Sequence, residues 1–483
     1  MVVEGKLMMN IYKEIIHEYI QDHKNEIVSD LKRLIKIPSV RGEAEEAFPF
    51  GKACGEALEY TKMLYEREKL ETELNQDGGY LLSYLGNGKK SIGIFSHADV
   101  VPVSDDWILT NPFEPLEKDG YLIGRGTLDD KAGIIISLYC AKMFKELNIP
   151  FNSRLICFTG VNEESGMQDI KNYLASHRKP DFSFVPDSGF PLYRGNKGRI
   201  TLTLTSKNRL SNGYYICGGT GATVIGEATA VIPFKQELFN EILTMCDEKI
   251  SIEMVEENMI IKAKGVAKHA ALPEGSLSAV SLICDTLNKC TSIEKEDNKI
   301  FEDIYNFSSS YYGECFDIES YDKEFGKLTC VLTKISTEKD GRIRAEFNIR
   351  YGLSIDKNTI FDSIRQKSSD ICWSETITSG FSTPHYLPEN NIFIKRLMEV
   401  YKSFSSWEGM TSYINAGGTY RQYLEDGVEI GTSNRIDVVP GLPAGHGRVH
   451  QPDECISIDG FLKAIEITMN MVLECDKIME DLE

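Results

Sequence analysis

The chain has 483 residues, more than one hydrophobic core usually supports, and its 42% hydrophobic and 26% charged content is that of an ordinary soluble globular protein. A formal net charge of -20, with no basic stripe or tail to offset it, argues against nucleic acid or an anionic membrane surface as a partner. No apolar stretch approaches the roughly 20 residues that a membrane-spanning helix needs. Twelve scattered cysteines without a C-x-x-C pair, behind an N-terminus with no leader-like apolar run, point to reduced thiols in a cytoplasm.

In chain order, apolar residues recur at helical spacing over 11–37 and stop at Pro38, which predicts one surface helix. A second helix is predicted over 53–68, then strands over 80–84 and 91–95, the latter running out at His97. A helix over 131–147, a buried strand over 154–159, a helix over 167–177 and a strand over 182–185 follow. This alternation implies an α/β fold with a mostly parallel sheet flanked by helices, in which ligands gather beyond the carboxyl ends of the strands. From about Tyr193 the pattern turns to strands at 199–205, 228–232, 259–263, 329–335 and 342–351, with helices over 278–287 and 359–367, and reads as a separate α+β domain. A helix over 392–404, a glycine-rich stretch at 415–420 and a long helix over 458–482 complete the chain. The organisation expected is a discontinuous catalytic domain, 1–192 and 385–483, interrupted by an inserted domain at 193–384.

His97, Glu163 and Asp187 each fall just after a predicted strand. In Ser96-His-Ala-Asp, His97 and Asp99 project to one face of extended chain, and an imidazole ligand gains from a carboxylate that fixes its tautomer. Alone, such a pair is a weak signal. Gly124-Arg-Gly-Thr-Leu-Asp-Asp-Lys combines a glycine turn with an acidic pair at a helix start, which the helix dipole by itself could explain. Glu163 and Glu164 follow a buried strand; in extended chain they point in opposite senses, one toward a metal and the other toward a substrate. Asp187 repeats the delivery of a carboxylate by an apolar strand, and His450, in Gly447-Arg-Val-His-Gln-Pro-Asp-Glu, adds a second imidazole. Two histidines with three carboxylates suit zinc or a similar divalent ion, and no thiolate is needed.

In this order and approximate spacing, H-x-D-x-V-P, G-R-G-x-x-D-D-K, the Glu163–Glu164 pair, Asp187 and H-x-x-D-E resemble the zinc-dependent aminoacylase and carboxypeptidase (M20) metallopeptidase family, over nearly the whole chain. Ala47-Phe-Pro-Phe-Gly-Lys, Asn348-Ile-Arg-Tyr and Gly417-Gly-Thr-Tyr are similar to its monomeric dipeptidase branch. There an enlarged, pseudo-duplicated lid, here 193–384, stands in for a partner subunit's lid. The resemblance implies two divalent cations, Zn2+ first, with Co2+ or Mn2+ as alternatives. Asp129 would bridge them, with His97 and Asp187 on one and Glu164 and His450 on the other. Asp99 would orient His97, and Glu163 would be the general base toward the bridging water.

By the same resemblance, His269 in Gly265-Val-Ala-Lys-His-Ala-Ala-Leu-Pro-Glu-Gly is an oxyanion donor, Arg350 grips the C-terminal carboxylate of a dipeptide, and Gly418 lets the backbone approach that end. The activity implied is hydrolysis of unblocked dipeptides by a monomer, with hinges near Tyr193 and Pro384. One position departs from the branch: Ala222 stands where a lid asparagine is usual, with Thr220 and Thr223 as neighbours that could replace its contact. Two rivals stay open, a related aminoacylase, aminotripeptidase or carboxypeptidase using the same metals, and a catalytically impaired peptide-binding homologue. His17, His23, His177, His385 and His446 match no motif and read as surface or structural.

Overall fold

Three runs of the chain, Ser91–His97, Arg154–Gly160 and Phe182–Ser188, are almost entirely buried, as strands covered on both faces must be. In the computed structural model, which describes residues 2–405 and 409–482 (side chains of 2–10 and 376–381 excepted), these three pair in parallel with Ser91–His97 in the middle. Gly427–Gly431 adds a fourth parallel strand beside Phe182–Ser188. The sheet is therefore parallel at its centre. Its edges are antiparallel: Tyr80–Leu85 and Glu71–Asn75 on one side, Tyr193–Asn196 on the other.

Alternating side chains divide the two faces between two cores. Ile92, Ile94, Leu155, Cys157, Phe182 and Phe184 pack under the helices Lys24–Ile35, Lys52–Arg67, Lys131–Glu146 and Ile458–Asp481. Phe95, Phe158 and Val185 face a smaller cluster with Tyr173 of the helix Gln168–Ser176 and with Tyr420. Each fully buried Leu, Ile or Phe contributes about 1.5–3 kcal/mol, so the larger cluster fixes the sheet, and the smaller one sets the surface beneath the strand ends.

The chain forms two compact units, Met1–Gly195 with Tyr386–Glu483, and Asn196–His385. The second unit is an eight-stranded sheet in the order Ile250–Val255, Asn258–Lys264, Glu227–Pro233, Tyr215–Gly218, Thr329–Thr337, Arg342–Tyr351, Gly198–Arg209, Trp373–Ser382, with every pairing antiparallel. One face carries the helices Ala279–Asn288 and Lys295–Ser308, which share a core with Ile343, Ala345, Phe347 and Ile349.

The N-terminal expectation needs correction. The single surface helix over 11–37 is two helices, Val2–Asp22 and Lys24–Ile35, broken at His23, whose ring stacks on Tyr19 with centroids 3.9 Å apart. Nor is it a purely surface element, because Ile16, Ile20, Ile27, Leu31, Leu34 and Ile35 are buried. The break lets both apolar stripes reach the core, which one straight helix could not do.

Candidate active site

His97 ends its strand wholly buried, its backbone amide donating to the Asp130 carboxylate at 3.2 Å. Asp130 also caps the helix Lys131–Glu146, accepting from Gly133 N. The turn before this helix requires Gly126, which sits at φ 89°; a Cβ there would lie 2.9 Å from the Lys131 side chain. So the glycine turn and the helix cap together leave Asp129 aimed at His97, with Asp129 Oδ1 3.0 Å from His97 Nε2.

Asp187 reaches the same imidazole from the next strand, at 3.8 Å. On the other side of Asp129, Oδ2 lies 3.0 Å from His450 Nε2, which is 3.1 Å from Glu164 Oε1. Two groups result, His97 with Asp129 and Asp187, and Asp129 with Glu164 and His450, each with ligand atoms within 4.8 Å of one another and Asp129 common to both.

Asp99 lies directly beside His97: Nδ1 is 2.9 Å from the Asp99 backbone carbonyl and 3.4 Å from its carboxylate. The carboxylate oxygens also accept the amides of Glu163 and Glu164, both at 3.1 Å. Glu163–Ser165 is a single 3-10 turn, not extended chain, so the turn and the two amides held by Asp99 set the directions of the two glutamates.

The charges explain what this arrangement can hold. Burial opposes protonation of His97, yet the carboxylates of Asp129, Asp187 and Asp99 overcome it and raise the imidazole well above its usual range. At His450 burial again works downward, and Asp129 and Glu164 push the imidazole up to about 11. Burial and then the charge of Asp129 lift Asp187 to about 7. Glu163 is raised well above the carboxylate range by burial and then by Asp187, and Glu164 by burial and then by Asp129. The cluster has more negative charge than its two imidazoles balance. His97 Nε2 and Asp129 Oδ1 are buried 3.0 Å apart without the alignment of a hydrogen bond, and Glu163 Oε1 is buried with no described hydrogen-bond partner, a state rare in native interiors. Imidazole and carboxylate donors around such atoms fit a divalent cation of the zinc or manganese kind.

Four supporting carboxylates escaped the sequence reading. Glu454 is fully buried and accepts from Arg125 Nη1 at 2.5 Å, Leu128 N at 2.8 Å and Asp129 N at 3.3 Å, so it closes the Asp129 loop. Its neighbour Asp453 accepts from the amides of Ile108 and Leu109, and its other partner is His446 Nδ1 at 2.7 Å. The pair was visible as the end of H-x-x-D-E, but nothing in the spacing assigns it partners more than 300 residues away. Glu429 and Asp169 hold the glycine-rich loop: Glu429 accepts from Ser188 Oγ, Asn415 Nδ2 and Thr419 Oγ1, and Asp169 from the Tyr420 hydroxyl. Tyr420 in turn stands edge-on to His97, centroids 6.3 Å apart.

A match to peptidase family M20/M25/M40 covers residues 93–474, most of the chain and all of the site just described. The chain belongs to this family. It is a peptide-bond hydrolase of the M20 metallopeptidase type. Among its relatives, the Beta-Ala-Xaa dipeptidase of Lactobacillus delbrueckii subsp. lactis is 26% identical over 478 residues, spanning 95% of this chain and 98% of the relative. The fold is also similar to that of human carnosine dipeptidase 1, with TM-score 0.57, 14% identity and coverage of 96% of this chain and 100% of the other. The same holds for Dug1p from Saccharomyces cerevisiae, described as a di-peptidase, with TM-score 0.56, 14% identity and coverage of 96% and 98%. No described helix of this M20 peptidase is long and apolar enough to cross a membrane.

Of the remaining candidate residues, Gly418 lies in the same unit as the two groups. A Cβ at Gly418 would meet only Gln422, at 3.5 Å, so packing within that unit does not demand a glycine. His269 and Arg350 lie in the second unit. There the segment around Ala222 pairs with the His269 segment: Thr223 bridges His269, Ala270 N donates to Ala222 O and Val224 N to Lys268 O. Thr223 is thereby placed directly opposite His269, beside the alanine that departs from the dipeptidase pattern. Arg350 is buried, its Nε donating to Asn348 Oδ1 at 2.8 Å.

Proposed function

We propose that this M20 peptidase hydrolyses unblocked dipeptides, with residues 1–192 and 385–483 as the catalytic domain and 193–384 as the lid. The observation that carries the reading is the pair of ligand groups sharing Asp129, with the unpartnered Glu163 carboxyl oxygen held next to Glu164. The dipeptidase named above, alike over 98% of its own length, supports the substrate class. His97 and Asp187 would hold one divalent cation and Glu164 and His450 the other, with Asp129 between them. When bound, two such cations make a water more acidic and polarise the scissile carbonyl.

The rest of the chemistry belongs to the chain. Glu163 accepts a proton from the attacking water and returns it to the leaving amine, so that one carboxyl serves as base and then as acid. Asp99 fixes both glutamates through their amides. His269 donates to the developing oxyanion, Arg350 takes the C-terminal carboxylate, and Gly418 offers backbone at that end. Zn2+ is the first metal to test, with Co2+ and Mn2+ next, and the working form is a monomer in the cytoplasm.

The test is hydrolysis of a panel of free dipeptides, N-acetylated dipeptides and tripeptides by metal-stripped protein with each metal restored, and by Glu163→Ala. Metal-dependent cleavage of free dipeptides alone, lost in the variant, is the expected result. Cleavage of blocked or longer peptides would replace the reading with an aminoacylase or tripeptidase. Binding without turnover would make the chain a peptide-binding homologue.

A further inference from the structure

The second unit contains a buried cation, Arg350, that no described carboxylate of that unit pairs with. Along Arg342–Tyr351, Ile343, Ala345, Phe347, Ile349 and Tyr351 face the helix-packed core, so Asn348 and Arg350 face the other side of the sheet. In register with Arg350 stand Thr329 on one neighbouring strand and Arg199 on the other, and Thr201 stands opposite Asn348. Directly opposed residues of antiparallel strands share a face with their Cβ atoms roughly 5 Å apart. Two guanidinium groups are thus set side by side, a repulsive choice unless something anionic comes between them.

The polar atoms around them are unspent. Arg350 is 5% exposed, and its Nη1 has no hydrogen-bond partner. Thr329 and Thr201, 3% and 8% exposed, also have partnerless hydroxyls on this face. Compare the other buried guanidinium groups: Arg125 is paired with the Glu454 carboxylate, Arg194 donates to Ser412 Oγ and the Leu387 carbonyl, and Arg421 donates to the carbonyls of Gly427 and Leu424. Among the described residues, Arg350 has only the Asn348 amide oxygen. Burial, followed by the charge of Arg199 on the neighbouring strand, pulls its pKa down to about 9. Lys197, also repelled by Arg350, has its ammonium on the Lys327 carbonyl at 2.7 Å. Arg199 itself is exposed, and its backbone amide donates to Ser382 Oγ.

We propose that Arg199 is a specificity-determining residue, which together with Arg350 forms a two-cation subsite for a peptide end bearing two carboxylates, so that dipeptides with C-terminal aspartate or glutamate are preferred. This assignment depends on the dipeptidase function, with Arg350 on the terminal carboxylate; Arg199 then takes the carboxylate of the side chain. The threonine hydroxyls at 201 and 329 supply the remaining donors to the anionic oxygens.

The experiment compares kcat/KM for Ala-Asp with Ala-Asn, and for Ala-Glu with Ala-Gln, in the unaltered protein, Arg199→Gln and Arg199→Lys, at low and high salt. Because Arg199 is exposed, the expected preference for the acid over its amide is about fivefold. It falls close to one in Arg199→Gln, is largely kept in Arg199→Lys, and shrinks with salt. A ratio of one or less in the unaltered protein, or a ratio unchanged by Arg199→Gln, overturns the subsite while leaving the dipeptidase function standing. If none of the dipeptides is cleaved, the dipeptidase function fails instead, and calorimetric binding decides the subsite. Tighter binding of Ala-Asp than Ala-Asn that is lost in Arg199→Gln upholds it, and equal binding rejects it.

Discussion

His97 is wholly buried at the end of a central strand, whereas half of the His450 side chain is exposed, on a loop where its own φ is 64°. Strand neighbours on both sides fix the first, and a positive φ is an uncommon conformation for the second, held by what surrounds it. Those surroundings are Arg125, which donates to the His450 carbonyl at 3.3 Å and to the Glu454 carboxylate, and Asp453, which ties the same loop to Ile108 and Leu109. A candidate ligand on a strand end is thus placed by the sheet, while one on a loop needs a set of buried carboxylates to do the same.

Four substitutions test how far that contrast reaches. Asp129→Ala removes the residue common to both groups; cation binding at both positions should be lost and kcat/KM should fall on the order of 10^4-fold, measured by metal analysis beside dipeptide hydrolysis. Glu163→Gln should lower kcat by about 10^2–10^4-fold with both cations retained, since it touches neither group; loss of metal would show that the glutamate is a ligand. Glu454→Gln breaks the contrast from the loop side. Cation affinity in a titration of stripped protein should weaken by about 10–100-fold, and an unchanged isotherm would mean the loop holds itself. Thr419→Val reaches the strand side, through Glu429 and Ser188 next to Asp187. It should cost about 1 kcal/mol of stability in denaturant unfolding, with Thr419→Ser restoring it.

The same contrast decides what could be read in the sequence. His97 and Asp187 were legible because each lies at the end of a mostly apolar, buried run, and Glu163 because it follows one. His450 was read from the motif around it rather than from periodicity, since no strand delivers it. Glu454, Glu429 and Asp169 were not legible as supports, because a buried acid reads like any surface acid until its distant donors are known. The fourth parallel strand, Gly427–Gly431, has five residues flanked by glycines and showed no periodicity to find. Likewise the helix Lys295–Ser308 is rich in charge, and its apolar stripe of Ile300, Phe301, Ile304 and Phe307 is visible only against the sheet it covers. The two-helix N-terminus was misjudged as one because the spacing of apolar residues runs nearly unbroken through His23.

Glu454 and the amide of Asp129 are 325 residues apart in sequence. Chains emerge from the ribosome N-terminal end first and fold as their partners become available. When residues 91–188 have emerged, the strands bearing His97 and Asp187 can pair, but the strand Gly427–Gly431, the His450 imidazole and the clamp on the Asp129 loop have not yet been made. The proposed hydrolytic centre therefore cannot be complete until residues 427–454 have been made and have returned to the sheet that was laid down first.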